Sequence, residues 1–378
     1  MACDLGIGII GAGFIGRVHA RAARLAGAKL VGIAEATEER AQAAAAELGG
    51  RGYAEAAELV ADPEVDVVHV CTPNHLHAPL VEMALGARKH VICEKPLATS
   101  VEDAARLTQM AGEAQVVAAI PFAYRYHAMA QEARARVLNG SLGRVHLVHG
   151  SYLQDWLLFP TDGNWRVDKQ VGGPSRAFAD IGSHWCDFME WTTGLRIAAV
   201  VALATTAVPQ RVAGFDPTFQ HDRSSEVVDG EMRAVETEDV ACLLFRTEDN
   251  VPGTLTVSQV SAGRKNRLWI EIDGAEASVV FDQERPESLW IGRRSTNEVL
   301  PRDPALLSPE ARRLCVLPAG HAQGFLDCFV AFLSDVYAAV ADRAVARYPT
   351  FEDGLRTARI TDAVLKSVNG GSWTAVVH

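Results

Sequence analysis

Residues 6–26 constrain the fold of this chain more than any other stretch. Gly6-Ile7-Gly8-Ile9-Ile10 is a short apolar run. Gly11-Ala12-Gly13-Phe14-Ile15-Gly16 follows, and Val18, Ala22 and Leu25 then recur on one face of a helix. The pattern predicts a strand, a tight turn and a helix. Each glycine has its own reason. Gly11 lets the chain turn out of the strand, Gly13 lets backbone approach a diphosphate with no Cβ in the way, and Gly16 lets helix and strand pack closely. The helix N-terminus offers N–H groups and the positive end of a dipole to an anion. The next apolar run, residues 29–35, ends in Glu35, about 20 residues past the last glycine, where a carboxylate that binds ribose hydroxyls belongs. A plain tight turn beside an unrelated acid would not explain the β-α-β order around it.

That order continues to about residue 120. Candidate strands 5–10, 29–35, 66–72, 90–94 and 116–121 alternate with Ala-rich helices at 14–26, 38–48, 54–61, 77–87 and 100–114, the last opened by a capping-box pair, Ser100 and Asp103. This is the signature of an α/β doubly wound parallel sheet, a Rossmann domain. After Pro121 the pattern changes. A helix near 128–138 and a long strand 144–154 come first, then segments 199–206, 237–246, 253–260, 266–273, 276–282 and 288–293 with period-2 alternation. Leu268, Ile270 and Ile272 fall on one side, Arg267, Trp269 and Glu271 on the other, and Asp273-Gly274 reads as a hairpin turn. The second part is therefore expected to be an α/β domain with a large, mostly antiparallel sheet open on one face. Segment 209–236 is polar and reads as a mobile loop or lid, and helices are expected at 321–341 and 351–367. The expected division is 1–122 for dinucleotide binding, 123–350 for substrate binding and oligomerisation, and 351–378 as a C-terminal helix and tail.

Composition excludes several classes. With 36 Lys+Arg against 47 Asp+Glu, the net charge of −11 gives no broad basic surface for nucleic acid. No apolar run approaches a membrane span. The seven cysteines are scattered and odd in number, with no CxxC pair, which points to reduced thiols rather than disulfides or structural zinc. Residues 1–5 run directly into the first strand with no signal-peptide pattern, so a cytoplasmic location is expected.

Three further segments carry chemistry. Cys71-Thr72-Pro73-Asn74-His75-Leu76-His77 ends a buried strand at the edge where open α/β sheets bind ligands, so Thr72, Asn74 and His77 could line a cofactor. A metal held by His75 and His77 is the rival reading, but no nearby acid or cysteine completes a ligand set, and no metal is expected. Cys93-Glu94-Lys95-Pro96 ends another strand. A lysine there can be a surface charge, or it can donate a hydrogen bond to a reacting oxygen. Gly172 to Trp185 holds a glycine loop and then Asp180 and His184, four apart. On a helix that spacing puts a carboxylate and an imidazole on one face. The imidazole can take a proton from an alcohol. An N-cap aspartate followed by a buried, satisfied histidine is an equal alternative.

Taken together, these segments resemble the glucose–fructose oxidoreductase/inositol dehydrogenase (Gfo/Idh/MocA) family. The likeness rests on Gly11–Gly16, Thr72-Pro73-Asn74-His75, Glu94-Lys95-Pro96, Tyr124-Arg125-Tyr126, Asp180-Ile181-Gly182-Ser183-His184 and Phe351-Glu352-Asp353-Gly354. It implies NAD as cofactor and transfer of a hydride to or from a secondary hydroxyl of a sugar, anhydrosugar or inositol. Lys95 and His184 would be the catalytic pair, with Asp180 orienting the substrate or His184. Gly11, Gly13, Phe14, Ile15, Gly16, Glu35, Thr72, Asn74, His77, Glu94, Lys95 and Arg125 would hold the cofactor. Glu35 would favour NAD over NADP, since Ala36-Thr37 follow it and no arginine does. The open sheet would form a homodimer or homotetramer. Residues 151–156 and Asn164-Trp165-Arg166 resemble the pyranoside-oxidising, levoglucosan-type branch. The substrate residues would then be Lys95, Tyr124, Gln154, Trp165, Arg166, Asp180 and His184, while Trp156 alone suits a core position equally well. Ala123 stands where family members often carry Asn, and Pro174-Ser175 alter the glycine loop. The alternatives are a glycosidase that keeps NAD bound and cleaves by transient oxidation and elimination, and a non-catalytic nucleotide sensor.

Overall fold

The computed structural model describes residues 5–212, 231–341 and 347–377. The chain forms two compact units, Met1–Ala123 with Phe325–Ala358, and Tyr124–Gly324 with Arg359–His378.

The first unit begins with β1 (Gly6–Ile10), α1 (Phe14–Leu25), β2 (Lys29–Ala34), α2 (Glu38–Leu48), β3 (Arg51–Tyr53), α3 (Ala56–Ala61), β4 (Val67–Val70), α4 (His77–Gly86), β5 (His90–Cys93), α5 (Val101–Ala114) and β6 (Ala118–Ala119). The six strands form a parallel sheet in the order β3-β2-β1-β4-β5-β6. The order reverses between β1 and β4, which leaves a crevice at their C-terminal edges. β1 and β4 are buried along their whole length, as strands covered by helices on both faces must be. Thr37 and Ser100 cap α2 and α5 by accepting the N–H of Arg40 and Asp103. Each cap supplies one of the partners a helix start leaves open, worth about 1 kcal/mol. β3 lacks any apolar run and is a strand only through its pairing with β2.

The second unit contains α6 (Ala128–Leu138), β7 (Val145–Leu153), α7 (Lys169–Gly172), a π-helical turn at Phe178–Gly182, α8 (Ser183–Thr193), β8 (Ile197–Thr205), β9 (Gln210–Val212), β10 (Met232–Ala234), β11 (Val240–Thr247), β12 (Pro252–Ser258), β13 (Arg267–Gly274), β14 (Ser278–Asp282), β15 (Ser288–Gly292), β16 (Asn297–Pro301) and α9 (Pro309–Arg312). The chain then returns to the first unit with α10 (Phe325–Val340), which packs on α1, and with the first half of α11 (Phe351–Gly370). Phe351 and Leu355 enter the same buried cluster as Leu97, Leu107 and Ile120. β17 (Thr374–Ala375) closes the second unit against β8.

The second sheet has nine strands in the order β16-β15-β14-β13-β7-β12-β11-β8-β17, antiparallel except where β7 runs beside β12. Leu268, Ile270 and Ile272 are buried on one face as their alternation requires. The opposite face leaves Leu203, Leu244 and Val299 exposed. The β13–β14 turn corrects the sequence reading. Asp273 and Gly274 still belong to β13, and Ala275-Glu276 make the turn, closed by the Gly274 N–H on Ala277 O at 3.0 Å. Gly274 is there for closeness, since a Cβ on it would lie 2.1 Å from the Leu142 carbonyl oxygen. Of segment 209–236, residues 213–230 lie outside the described residues, and its flanks pair as β9 and β10. No helix among the described residues is long and apolar enough to cross a membrane.

Candidate active site

In the first unit the glycine turn sits beside the end of β4. Gly11 has φ 92°, a left-handed conformation, and a Cβ there would lie 2.8 Å from the Cys71 carbonyl oxygen. A Cβ on Gly16 would lie 2.0 Å from the Gly11 oxygen, whereas one on Gly13 would meet nothing within 4 Å. Turn and helix contact thus require Gly11 and Gly16, while Gly13 opens onto free space. α1 follows Gly13 as its cap residue, with no side-chain cap and no acid in its first turn. Phe14 is exposed and Ile15 half-buried. Thr72, whose backbone abuts Gly11, has a buried hydroxyl with no hydrogen-bond partner among the described residues. Glu35 follows β2. Its Oε1 accepts the Ala12 N–H at 2.6 Å, and its Oε2 accepts the Ala36 N–H at 3.3 Å and pairs with Arg40 at 3.1 Å. Arg40 escapes a reading of the residues next to Glu35, because one turn of α2 brings it back onto the carboxylate.

The loops after β4 and β5 are tied together. His77 is buried, with Nδ1 2.7 Å from the Pro96 oxygen and Nε2 2.9 Å from the Thr72 oxygen, and burial pushes its pKa down. Its ring therefore joins the segment of Thr72 and Asn74 to that of Lys95. Asn74 begins a short 3-10 turn. Lys95 is half-buried, and its peptide N–H reaches Glu94 Oε2 at 3.1 Å. Glu94 turns inward, and its other oxygen lies 3.1 Å from His19 Nε2.

In the second unit the expected residues join into one continuous constellation. The His184 ring meets Tyr124 edge-on with centroids 5.0 Å apart. The Tyr124 hydroxyl lies 2.5 Å from that of Tyr152 and accepts from Asn266 Nδ2 at 3.0 Å. Asn266 Oδ1 accepts from Tyr152 at 2.7 Å and from Gln154 at 2.8 Å, and Gln154 Oε1 accepts the Trp156 indole N–H at 2.8 Å. The Arg166 guanidinium lies 4.3 Å from the Trp165 ring centre and 6.0 Å from that of Trp156, and its Nε is 3.6 Å from Asp180 Oδ1. Burial pushes the Tyr152 pKa well up, so its hydroxyl stays protonated.

Asp180 lies in the π-helical turn rather than in regular α-helix. Such turns recur at functional sites because they re-aim a side chain. A buried framework behind it fixes its carboxylate. Gln259 Nε2 donates to Asp180 Oδ2 at 2.8 Å, and Gln259 Oε1 accepts from Arg176 at 3.1 Å. Only the amide oxygen can face a guanidinium, so the amide NH2 must face Asp180, which accepts. Arg176 in turn pairs with Asp239, which Arg211 also contacts at 2.9 Å, and all three are buried. Gly150 seats α8. A Cβ there would lie 2.6 Å from the Trp185 indole nitrogen, which donates to the Trp269 oxygen at 2.9 Å. Trp185 so anchored, the neighbouring His184 is aimed at the tyrosines. Arg125 is buried and its Nε donates to Asp187 Oδ2 at 2.8 Å, with a second contact from NH2 to Oδ1. On the face of the sheet opposite Tyr152, His149, Glu271 and Asp273 form a half-buried cluster, with the histidine Nε2 3.7 and 3.6 Å from the two carboxylates.

Comparison with known proteins agrees with this geometry. Residues 5–122 match the NAD-binding Rossmann-fold oxidoreductase family Gfo/Idh/MocA, and residues 130–280 match the C-terminal domain of that family. The chain is 31% identical to levoglucosan dehydrogenase of Pseudarthrobacter phenanthrenivorans over 394 residues, covering 99% of this chain and 98% of that protein. It belongs to the Gfo/Idh/MocA family. Among solved structures, levoglucosan dehydrogenase in complex with NADH and L-sorbose superposes with a TM-score of 0.90 at 28% identity, covering 99% of both chains. An inositol dehydrogenase homolog complexed with NAD+ from Azotobacter vinelandii gives 0.85 at 25% identity, covering 98% of this chain and 97% of that one. This family member is an NAD-binding oxidoreductase, and its first unit fits that cofactor. The open Gly13, the uncapped start of α1, the orphan Thr72 hydroxyl and the Glu35 carboxylate are what a dinucleotide needs.

Proposed function

We propose that the protein oxidises a secondary hydroxyl of a pyranose or 1,6-anhydropyranose of the levoglucosan type. The observation that carries this reading is the second-unit constellation, which joins aromatic faces to hydrogen-bonding edges in the way a sugar ring requires. Full-length likeness to levoglucosan dehydrogenase supports it. NAD, when bound, supplies the acceptor for the hydride lost from the carbinol carbon. In this reading Gly11, Gly13, Phe14, Ile15, Gly16, Glu35, Thr72 and Asn74 hold it. His184 serves as the general base for the hydroxyl proton, and Lys95 as a hydrogen-bond donor in the catalytic pair. Asp180, fixed as an acceptor by Gln259 and Arg166, takes a neighbouring hydroxyl, while Trp156, Trp165 and Arg166 bound the ring. His77 and Arg125 serve by holding loops and helix in place. We also infer a cytoplasmic homo-oligomer paired through the exposed sheet face. The free thiols among the described residues suit a reducing compartment.

The test is NADH absorbance on purified protein with NAD and a panel of levoglucosan, L-sorbose, common pyranoses and inositols. Turnover is expected with levoglucosan or a close relative, and His184→Ala should lower kcat about 10²–10⁴-fold. A panel with no turnover, or full activity in His184→Ala, would refute the reading.

A further inference from the structure

The first unit buries four polar side chains in a line. Glu94 follows β5, His69 lies in β4, His19 in α1 and Tyr337 in α10; the two histidines are 0% exposed, Glu94 7% and Tyr337 2%. The Tyr337 hydroxyl is 3.1 Å from His69 Nε2, His69 Nδ1 is 2.9 Å from His19 Nδ1, and His19 Nε2 is 3.1 Å from Glu94 Oε1. At the near end, Glu94 Oε2 accepts the Lys95 N–H at 3.1 Å.

The two ends of this line agree on where its protons lie. Burial works to raise the Glu94 pKa, but the hydrogen bond from His19, the charge of Lys95 and the Lys95 N–H prevail and lower it, so Glu94 is an anion that accepts. Its other titratable neighbours carry no charge. Burial pushes the Cys71 and Cys93 thiols well up and His77 down. At the far end the Tyr337 hydroxyl is able to donate to His69, which burial holds neutral. With Tyr337 as donor and Glu94 as acceptor, two facing imidazoles have one neutral arrangement that pairs every ring nitrogen. Tyr337 donates to His69 Nε2, His69 Nδ1–H donates to His19 Nδ1, and His19 Nε2–H donates to Glu94.

We propose that Tyr337, His69 and His19 are positioning residues, a buried relay that holds Glu94 as an anion against the peptide N–H of Lys95 and so fixes the backbone from which the Lys95 side chain works. The relay goes beyond the dehydrogenase reading and rests on it only for the task of Lys95.

The deciding experiment needs neither cofactor nor substrate. Ring ¹⁵N spectra of histidine-labelled full-length protein at about pH 7 should show His69 as the Nδ1–H tautomer and His19 as the Nε2–H tautomer. Exchange of the Lys95 amide should be slow. It should quicken at least about tenfold in Glu94→Gln, in His19→Ala and in Tyr337→Phe, and His19→Gln, which keeps a donor for Glu94, should restore it. Should His19→Ala not fold, Tyr337→Phe, which loses a single oxygen, carries the same comparison. A His69 Nε2–H tautomer, a doubly protonated His19, or Lys95 exchange indifferent to Tyr337→Phe overturns the relay. In turnover on levoglucosan, Tyr337→Phe should lower kcat several-fold with KM unchanged. If wild-type protein fails on every sugar, the dehydrogenase reading falls while the NMR result still decides the relay.

Discussion

Glu35 binds three groups of its own chain, and Arg40 is the one that matters for cofactor choice. The carboxylate repels a 2′-phosphate and also neutralises the only guanidinium it pairs with among the described residues. Glu35→Ser should weaken NAD binding about tenfold and raise NADP affinity, because Arg40 is then released. Adding Arg40→Ala should cancel the gain for NADP. Titration of each nucleotide by fluorescence checks both statements, and unchanged NADP affinity in Glu35→Ser would refute them. The sequence alone showed the acid and missed the base. Gln259 and Asn266 were missed for a related reason: Gln259 lies 79 residues from Asp180 and Asn266 lies 142 from Tyr124, and strand pairing brings them there. A single sequence carries no local signal of such pairings. Glycines, caps and periodic apolar positions act locally, so they were legible.

At the scale of elements, the β-α-β alternation read from residues 5–120 gives five of the six strands observed, all but β3, because buried parallel strands and Ala-rich helices leave strong periodic marks. The π turn at Phe178–Gly182 leaves none, since its sequence suits an α-helix as well. The Asp273-Gly274 pair gave a false turn because its glycine answers to a tertiary contact with Leu142. Behind Asp180, the element that matters is the buried framework of Arg176, Arg211 and Asp239. Asp239 is the shared anion of two guanidiniums, and both are buried. Removing it strands two charges in a poor solvent. Asp239→Ala should therefore cost about 3–5 kcal/mol of stability, read from denaturant melts, whereas a surface pair would cost under about 1 kcal/mol.

For the whole molecule, acid is the weak side. His69 and His77 are both buried, and burial pushes both pKa values down. Their folded pKa values lie below the unfolded value of about 6.5, so the unfolded chain takes up protons that the folded chain refuses. The stability they contribute is whole above that pH and declines as pH falls below it, by about 1.4 kcal/mol per pH unit for each. Melting temperatures between about pH 7.5 and 5.5 should show the fall, and His77→Gln should flatten it. The proposed sheet-to-sheet pairing makes a separate demand. Leu203 and Leu244 are 77% and 52% exposed, so Leu244→Lys should shift sedimentation towards the monomer, and an unchanged assembly would exclude this face. The first unit, finally, is discontinuous, since α10 and the start of α11 complete a core begun at β1. A ribosome that has made β6 must still synthesise Tyr124–Gly324, the larger part of the second unit, before Tyr337, Phe351 and Leu355 exist. At 5–20 residues per second that interval is on the order of tens of seconds. Throughout it the nascent nucleotide-binding half stands with an open flank, a natural client for chaperones and the part of the chain most exposed to misfolding during its own birth.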